Sequence, residues 1–365
     1  VIGPASFIDV INAFASRGAP SGDLVRGAFE AILSGAWTPV QVGAFAIALR
    51  VRGEEEGTIV AGVEAMRGAM EAVDHGLDLV LDTCGTGGDG GQTLNLSTAA
   101  AIVLAACGVA VAKHGNRSIS SRCGSADVIE ELGIPIDVAP SKQGGILRAT
   151  KIAFLFAPAH HPALKHAAVA RRELGVRTIF NALGPLANPA RATHQLVGVY
   201  EDGLRPIAAK ALASLGTVRA WVVRSTDGLD EISASAPTRV SEVAEGEVRE
   251  RTIRPEDFGI RTGDRGAIAG GTARQNAEAI VRILEGEAHP ARDAVLLNAA
   301  AALSLSEANA TLPASTERVR DAIASGAARE RLDLWRAAAA GAASVKSASE
   351  GNAVRGAIEG EGGTR

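Results

Sequence analysis

Leu79-Val80-Leu81 runs directly into Asp82-Thr83-Cys84-Gly85-Thr86-Gly87-Gly88-Asp89-Gly90-Gly91, and past Thr93 and Asn95 a helix-forming run opens near Ser97-Thr98. An apolar run, a glycine-dense loop and a helix make one strand–loop–helix unit of an α/β fold, so this stretch sets the fold class. Gly85, Gly87 and Gly90 fit GxGxxG. A dinucleotide site, however, needs the helix to open on those glycines and an acid at the end of the second strand. Here the helix starts later and the second strand ends in Lys113-His114. A P-loop is excluded as well, because no Gly-Lys-Ser/Thr follows a GxxxxG. What the loop retains is anion chemistry. Successive N–H groups without Cβ atoms form a nest, and the adjacent helix N-terminus adds partial positive charge. Thr93, Asn95, Ser97 and Thr98 add side-chain donors, with Ser97 able to serve as a cap or as a metal ligand.

A second unit repeats the pattern. Val109-Ala110-Val111-Ala112 delivers Lys113-His114-Gly115-Asn116-Arg117-Ser118-Ile119-Ser120-Ser121-Arg122-Cys123-Gly124-Ser125, and a helix follows from Ala126 to Leu132 with Ser125 at its cap. Two successive units thus aim anion-binding ends at one crevice, the expected ligand position of an open α/β sheet. A solvated basic turn would explain any one of these residues but not the run. Asp230-Glu231 follows the strand Ala220-Trp221-Val222-Val223. Acidic turns are common, but beside a phosphate site adjacent carboxylates are candidate Mg²⁺ ligands. His160-His161-Pro162 matches no catalytic spacing, no Cys/His metal set is present, and no GxSxG elbow occurs.

Outward from these units, Ala153-Phe154-Leu155-Phe156 and Leu196-Val197-Gly198-Val199 are further apolar runs between helices, the mark of a buried, mainly parallel sheet. Arg239–Ala244, Glu245-Gly246 and Glu247–Ile253 read as an edge hairpin. The first seventy residues carry helical spacing only. Ser6 precedes a stripe of Phe7, Ile8, Ile11 and Phe14, Ser21 caps a second helix, Thr38-Pro39 opens a third, and a fourth runs from Glu55 to Val73. Helices return from Thr272 to Ala340. The expected organisation is a small all-helical domain over 1–75, an α/β domain with a central, mainly parallel sheet flanked by helices over 76–340, and a disordered tail over 341–365.

The 365 residues carry a formal charge of −4, 42 glycines and 12 aromatics (8 Phe, 3 Trp, 1 Tyr). Net acidity without basic runs excludes a nucleic-acid binder driven by phosphate contacts. No apolar run spans a membrane and no secretory signal is visible at the start. Three cysteines, Cys84, Cys107 and Cys123, suit no closed disulfide framework and point to a reducing, cytoplasmic setting.

Taken together the motifs resemble the anthranilate phosphoribosyltransferase family of tryptophan biosynthesis. The resemblance runs from Phe7 to Arg336 and rests on Gly85-Thr86-Gly87-Gly88-Asp89, Asn95-Leu96-Ser97-Thr98, Lys113-His114-Gly115-Asn116-Arg117, Gly124-Ser125-Ala126-Asp127 and Phe156-Ala157-Pro158. It extends through Arg171, Arg177-Thr178-Ile179-Phe180-Asn181, Leu183-Gly184-Pro185-Leu186 and Asp230-Glu231. It implies a glycosyltransferase that moves the phosphoribosyl group of 5-phosphoribosyl 1-pyrophosphate to the amine of anthranilate. It also implies Mg²⁺ as cofactor, a helical contribution from about 162–190 to the small domain, and a homodimer formed through that domain. By position, Gly85, Thr86, Gly87, Gly88, Asp89, Thr93, Asn95, Leu96, Ser97, Thr98, Lys113, His114, Gly115, Asn116, Arg117, Ser118, Ile119, Ser120, Ser121 and Ser125 would hold the phosphoribosyl donor. Gly85, Asn116 and Arg171 would hold anthranilate, Ser97, Asp230 and Glu231 would ligate Mg²⁺, and Lys113, Asn116 and Arg171 would carry catalysis. Cys123 departs from the family's usual Ser or Ala and is expected as an exposed, oxidation-sensitive loop thiol. A pyrimidine nucleoside phosphorylase would share the fold, but Lys113-His114-Gly115-Asn116 and Arg171 favour the transferase. A nucleic-acid-binding relative would show a basic face and a degraded glycine or Asp-Glu motif, and this chain shows neither.

Overall fold

The computed structural model describes residues 5–16, 20–87, 93–118 and 123–358, the last with side chains to 344. Four helices open the chain: α1 Phe7–Ala15, α2 Gly22–Leu33, α3 Pro39–Arg52 and α4 Glu56–Gly68. Their starts follow the expected caps. The Ser21 hydroxyl accepts from Leu24 N, and Thr38 with Gln41 forms a capping box ahead of Pro39. α4 stops five residues before Val73, because the chain there leaves the helix for bonds elsewhere: Glu71 N donates to His160 O at 2.7 Å and Val73 N to Pro189 O at 3.0 Å.

The α/β part alternates β1 Leu81–Gly85, α5 Leu96–Ala106, β2 Val111–Gly115, α6 Ser125–Glu131, α7 Pro140–Thr150 and β3 Ile152–Phe156. The chain then returns to the helical layer through α8 Ala157–His160, α9 Lys165–Leu174 and α10 Ile179–Leu186. It re-enters the sheet as β4 His194–Gly198, α11 Leu204–Ser214, β5 Arg219–Ser225, β6 Thr238–Ala244 and β7 Glu247–Ile253, and closes with α12 Ala273–Leu284, α13 Arg292–Leu305, α14 Leu312–Ala324 and α15 Ala327–Ile358.

The seven strands lie in the order β3-β2-β1-β4-β5-β6-β7. β1 to β5 pair in parallel, and β6 and β7 add an antiparallel hairpin whose turn residues Glu245 and Gly246 both have positive φ, the turn that matches strand twist. The small helical part and the larger sheet-centred part are those the sequence foresaw. The apolar runs locate each strand but set the first two early: Leu79 and Val109 lead into β1 and β2, and the strands continue into the polar Asp82-Thr83 and Lys113-His114. Over 341–358, where a tail without regular structure was expected, the backbone continues helix α15, propagated from the alanine run 337–340.

Side chains alternate between two cores. One face of the sheet (Leu196, Trp221, Val223, Val240) packs on α5, α12, α13, α14 and α15. The other (Val197, Val222, Val243) packs on α11 and the helical layer. That second core holds the edge-to-face rings of Phe29, Trp37 and Phe45, with Phe180 of α10 completing it 6.1 Å from Phe29.

Candidate active site

The strand order reverses between β1 and β4, and the candidate residues gather outside the carboxyl ends there, as the switch-point rule requires. Two close approaches build the site. A Cβ on Gly198 would lie 1.4 Å from Asp230 O, and one on Gly85 would lie 2.8 Å from Asp230 Oδ2. Only glycine at the end of β4 lets the Asp230-Glu231 segment cross it, while at the end of β1 a side chain would displace the Asp230 carboxylate. That segment is fixed from the opposite side by Asn298 of α13, which accepts from Ile232 N at 3.0 Å and donates to Ile232 O at 2.9 Å. Glu231 Oε1 accepts from Ser97 N at 2.9 Å in the first turn of α5. Ser97, Asp230, Glu231 and Asn298 line a cavity of about 10 Å³, about one water in size. The donors there are oxygens of two carboxylates and a hydroxyl, the set that Mg²⁺ takes, so the residues fit that ion.

Lys113 enters the same cluster from β2. Its Nζ donates to Thr83 O at 2.5 Å and to Ser97 Oγ at 3.2 Å, and the residue is 2% exposed. Burial pushes its ammonium below the ordinary lysine range, while the charges of Asp82, Cys84 and Glu231 oppose that shift. Asp82, fully buried, is pushed up to about 6 by burial, against Lys113 and the donors on its carboxylate. Next to Lys113, His114 Nδ1 meets Gly184 O at 3.0 Å and its ring lies 5.1 Å from that of His161. Burial holds His114 well below the usual imidazole range and lowers His161 to about 4. Both imidazoles are therefore neutral and cannot supply positive charge to a phosphate.

The glycine loop is described as far as Gly87. Thr86 N donates to Gly198 O at 2.9 Å, Thr86 Oγ1 accepts from Tyr200 N at 2.8 Å, and Gly87 takes a left-handed φ of 70°. Gly88 and Asp89 lie outside the described residues, as do Ile119, Ser120 and Ser121. Where the chain resumes, Thr93 bridges to Ala269, and Asn95 Oδ1 accepts from Asn276 Nδ2 at 2.9 Å. Leu96 is buried at the start of α5, and the buried Thr98 Oγ1 has no hydrogen-bond partner among the described residues.

The second loop is closed by a residue the sequence did not single out for a role. Asp127 accepts from Ser118 N at 3.3 Å and from Gly124 N at 2.8 Å, tying both ends of the loop to the first turn of α6. Gly124 is the cap of that helix. Ser125, expected there, is its first helical residue and donates instead to Asn116 O at 3.3 Å. A Cβ on Gly115 would meet that same Ser125 hydroxyl at 2.2 Å. Asn116 Oδ1 accepts from Arg117 N at 2.7 Å, and the Arg117 guanidinium is paired with Asp127 and Glu130.

The structure thus brings Gly85, Ser97, Lys113, Asp230 and Glu231 together, and sets Asn116 beside Ser125 on the neighbouring loop. Arg171 stands apart, on α9, with its guanidinium 5.8 Å from the Phe180 ring centre and no hydrogen-bond or ion-pair partner among the described residues. Burial lowers it from the ordinary arginine value. Cys123 is not the exposed thiol expected: it is buried, its Sγ contacts Asn95 Oδ1 at 3.5 Å, and burial pushes it up to about 11. Asp82, Asn188, Asn276 and Asn298 were missed. Single amides and one strand carboxylate carry no spacing signal, and only burial without an apolar side chain marks them.

Comparison with known proteins follows the same division of the chain. The family described as "Glycosyl transferase family, helical bundle domain" matches residues 8–70, and "Glycosyl transferase family, a/b domain" matches residues 77–329. Anthranilate phosphoribosyltransferase from Symbiobacterium thermophilum is 48% identical over 311 residues, covering 85% of this chain and 91% of its own. The enzyme of that name from Thermomicrobium roseum is 50% identical over 315 residues, covering 85% and 90%. Among solved structures, anthranilate phosphoribosyltransferase from Thermus thermophilus superposes with a TM-score of 0.86 at 38% identity, covering 91% of this chain and 99% of that one. The Saccharomyces cerevisiae enzyme, solved in complex with PRPP and Mg, gives 0.85 at 28% identity, covering 92% and 98%.

Proposed function

The chain belongs to the anthranilate phosphoribosyltransferase family, and on that premise we propose how its own residues divide the work of the reaction. The protein transfers the phosphoribosyl group of 5-phosphoribosyl 1-pyrophosphate to the amine of anthranilate, releasing pyrophosphate, with Mg²⁺ as cofactor. The observation that carries the assignment of roles is the meeting of Lys113, Ser97 and Glu231 at the strand switch point.

As the C1–O bond breaks, negative charge grows on pyrophosphate and the ribose becomes oxocarbenium-like. Lys113, held between Thr83 O and Ser97 Oγ, offers a fixed cation to the departing charge. Bound by Ser97, Asp230 and Glu231, Mg²⁺ would neutralise phosphate charge. The anthranilate amine is an aniline, neutral at pH 7, so it attacks without a strong base, and the protein's task there is orientation. Asn116 takes that task from the second loop. Arg171, with no carboxylate of its own, offers a guanidinium to the anthranilate carboxylate. Burial keeps the three thiols protonated, with Cys107 and Cys123 each raised to about 11, so none serves as a nucleophile.

The assembly we propose is a homodimer through the helical layer. Val40 and Val51 of α3 are 81% and 83% exposed and Ile8 of α1 is 67% exposed, an apolar stripe whose burial a second copy would accomplish. Light scattering should give twice the chain mass. No helix among the described residues is long and apolar enough to cross a membrane, and the three free cysteines suit a reducing cytoplasm.

The deciding experiment mixes the protein with anthranilate, 5-phosphoribosyl 1-pyrophosphate and Mg²⁺ and follows anthranilate fluorescence. The emission should fall with time and stay constant when the donor is omitted. Constant emission in the complete mixture would refute the assignment.

A further inference from the structure

β1 and β2 are neighbours in the sheet, yet their register consists of the single pair Leu81↔Val111, whereas β1 with β4 and β2 with β3 each run in register over five residues. Past Leu81 the register is not continued although the strands remain neighbours, and side chains take up backbone groups of the seam. The Asp82 carboxylate, fully buried, accepts from His114 N at 3.2 Å and from Asn188 Nδ2 at 2.7 Å. The same Asn188 Nδ2 donates to Ala112 O at 2.8 Å, and Asn188 Oδ1 accepts from Ala190 N at 2.8 Å. Lys113 Nζ reaches back across the gap to Thr83 O.

We propose that Asp82 and Asn188 are a pair of positioning residues, a strut across the β1–β2 seam one residue past its register pair, which places Lys113 against the departing pyrophosphate. The inference rests on the transferase reading above. Three features support it. Asn188, 1% exposed, is not part of the sheet but lies on the segment returning from α10 to β4, so it is inserted into the gap from outside. Fold stability alone does not call for a carboxylate here, because β1 closes against β4 with an ordinary ladder one strand away. And Lys113 is bound to β1 while belonging to β2, so the width of the gap sets where its ammonium sits. Without the Asn188 amide, Ala112 O would lose its side-chain donor and the Asp82 carboxylate would keep only His114 N and the Cys84 thiol, so the seam would have to shift or admit water.

The test compares the wild type with Asn188→Ala, Asn188→Asp, Asp82→Asn and the exchanged double variant Asp82→Asn/Asn188→Asp. kcat and both KM values come from anthranilate fluorescence, at a temperature where melting curves show every protein folded. Each single substitution should lower kcat about tenfold or more, the scale of an ångström-level misplacement, while the anthranilate KM stays within about threefold. The double variant restores a donor–acceptor pair between positions 82 and 188 but turns a carboxylate oxygen toward Ala112 O, which loses its amide donor, so its kcat should stay at or below that of Asp82→Asn. Single variants with wild-type kcat, or a double variant with wild-type kcat, would overturn the strut. If Asn188→Ala does not fold, the near-isosteric Asp82→Asn and Asn188→Asp decide the question. An inactive wild type would overturn the transferase reading and the strut together, whereas an active wild type with unaffected variants overturns the strut alone.

Discussion

The seam between β1 and β2 and the seam between β4 and β5 belong to one sheet and are built oppositely. β4 and β5 stay in register from His194↔Arg219 to Gly198↔Val223, and their central pairs, Leu196 with Trp221 and Val197 with Val222, are apolar on both faces. The β1–β2 seam keeps one register pair and fills its remainder with Asp82, Lys113 and the Asn188 amide. One seam contributes stability through ladder bonds and burial. The other gives up ladder bonds for buried charge, which is unfavourable unless each group is paired, and receives in exchange a cation fixed in direction. The sheet therefore concentrates its chemistry where its regularity is lowest.

The sharpest break of this contrast is at the carboxylates. Asp230→Asn with Glu231→Gln should lower Mg²⁺-dependent turnover by about a hundredfold or more while the melting temperature stays within a few degrees, since the shapes are kept and only the charges go. Wild-type turnover would contradict the metal assignment. A matched pair of alanine substitutions comes next. At Gly198 a Cβ would collide with Asp230 O, so Gly198→Ala should displace the acidic segment and cut kcat about tenfold or more. Val222→Ala, in the regular seam, should cost about 2 kcal/mol of stability by urea unfolding and leave kcat unchanged. Equal kcat losses in the two variants would erase the distinction between the strand end that carries the acidic segment and the buried interior of the sheet.

The smallest effect is on pH dependence. His114, His160 and His161 are all lowered by burial, His161 to about 4 from an ordinary 6.5. The unfolded chain binds these protons first, so the stability they represent is complete above pH 6.5 and is lost as pH falls toward 4. Asp82, raised to about 6, works in the opposite direction between about 4 and 6, as does the raised Glu54, but His194 and His289 are lowered too, so two carboxyls stand against five imidazoles. The urea midpoint should therefore drop between pH 7 and pH 5, and by less in His161→Gln. An unchanged drop would mean that His161 does not titrate with unfolding.

Much of this arrangement was legible in the chain. The caps at Ser21 and Thr38 and the left-handed Gly87 each state a local backbone requirement, and local requirements survive folding. The strand starts were misjudged because Asp82, Thr83, Lys113 and His114 are polar, and sequence patterning assigns polar residues to loops until partners for them are seen. Asn188, Asn276 and Asn298 act across long stretches of chain, on Asp82, Asn95 and Ile232, and no spacing rule reaches that far. Asp127 lay inside a recognised motif, but its grip on Ser118 N and Gly124 N depends on how the loop turns.

The helical core that is sealed only when Phe180 of α10 reaches Phe29 of α2 has a bearing on how the chain is made. α1 to α4 leave the ribosome early, but their aromatic interior stays unsealed until α9 and α10 follow, with three strands of the sheet synthesised in between. At a synthesis rate of about 5–20 residues per second, that leaves roughly 6 to 24 seconds of exposed apolar surface on the nascent chain. Holdase chaperones acting on the nascent N-terminal helices would cover that interval, and slowing translation between α4 and α10 should lengthen it.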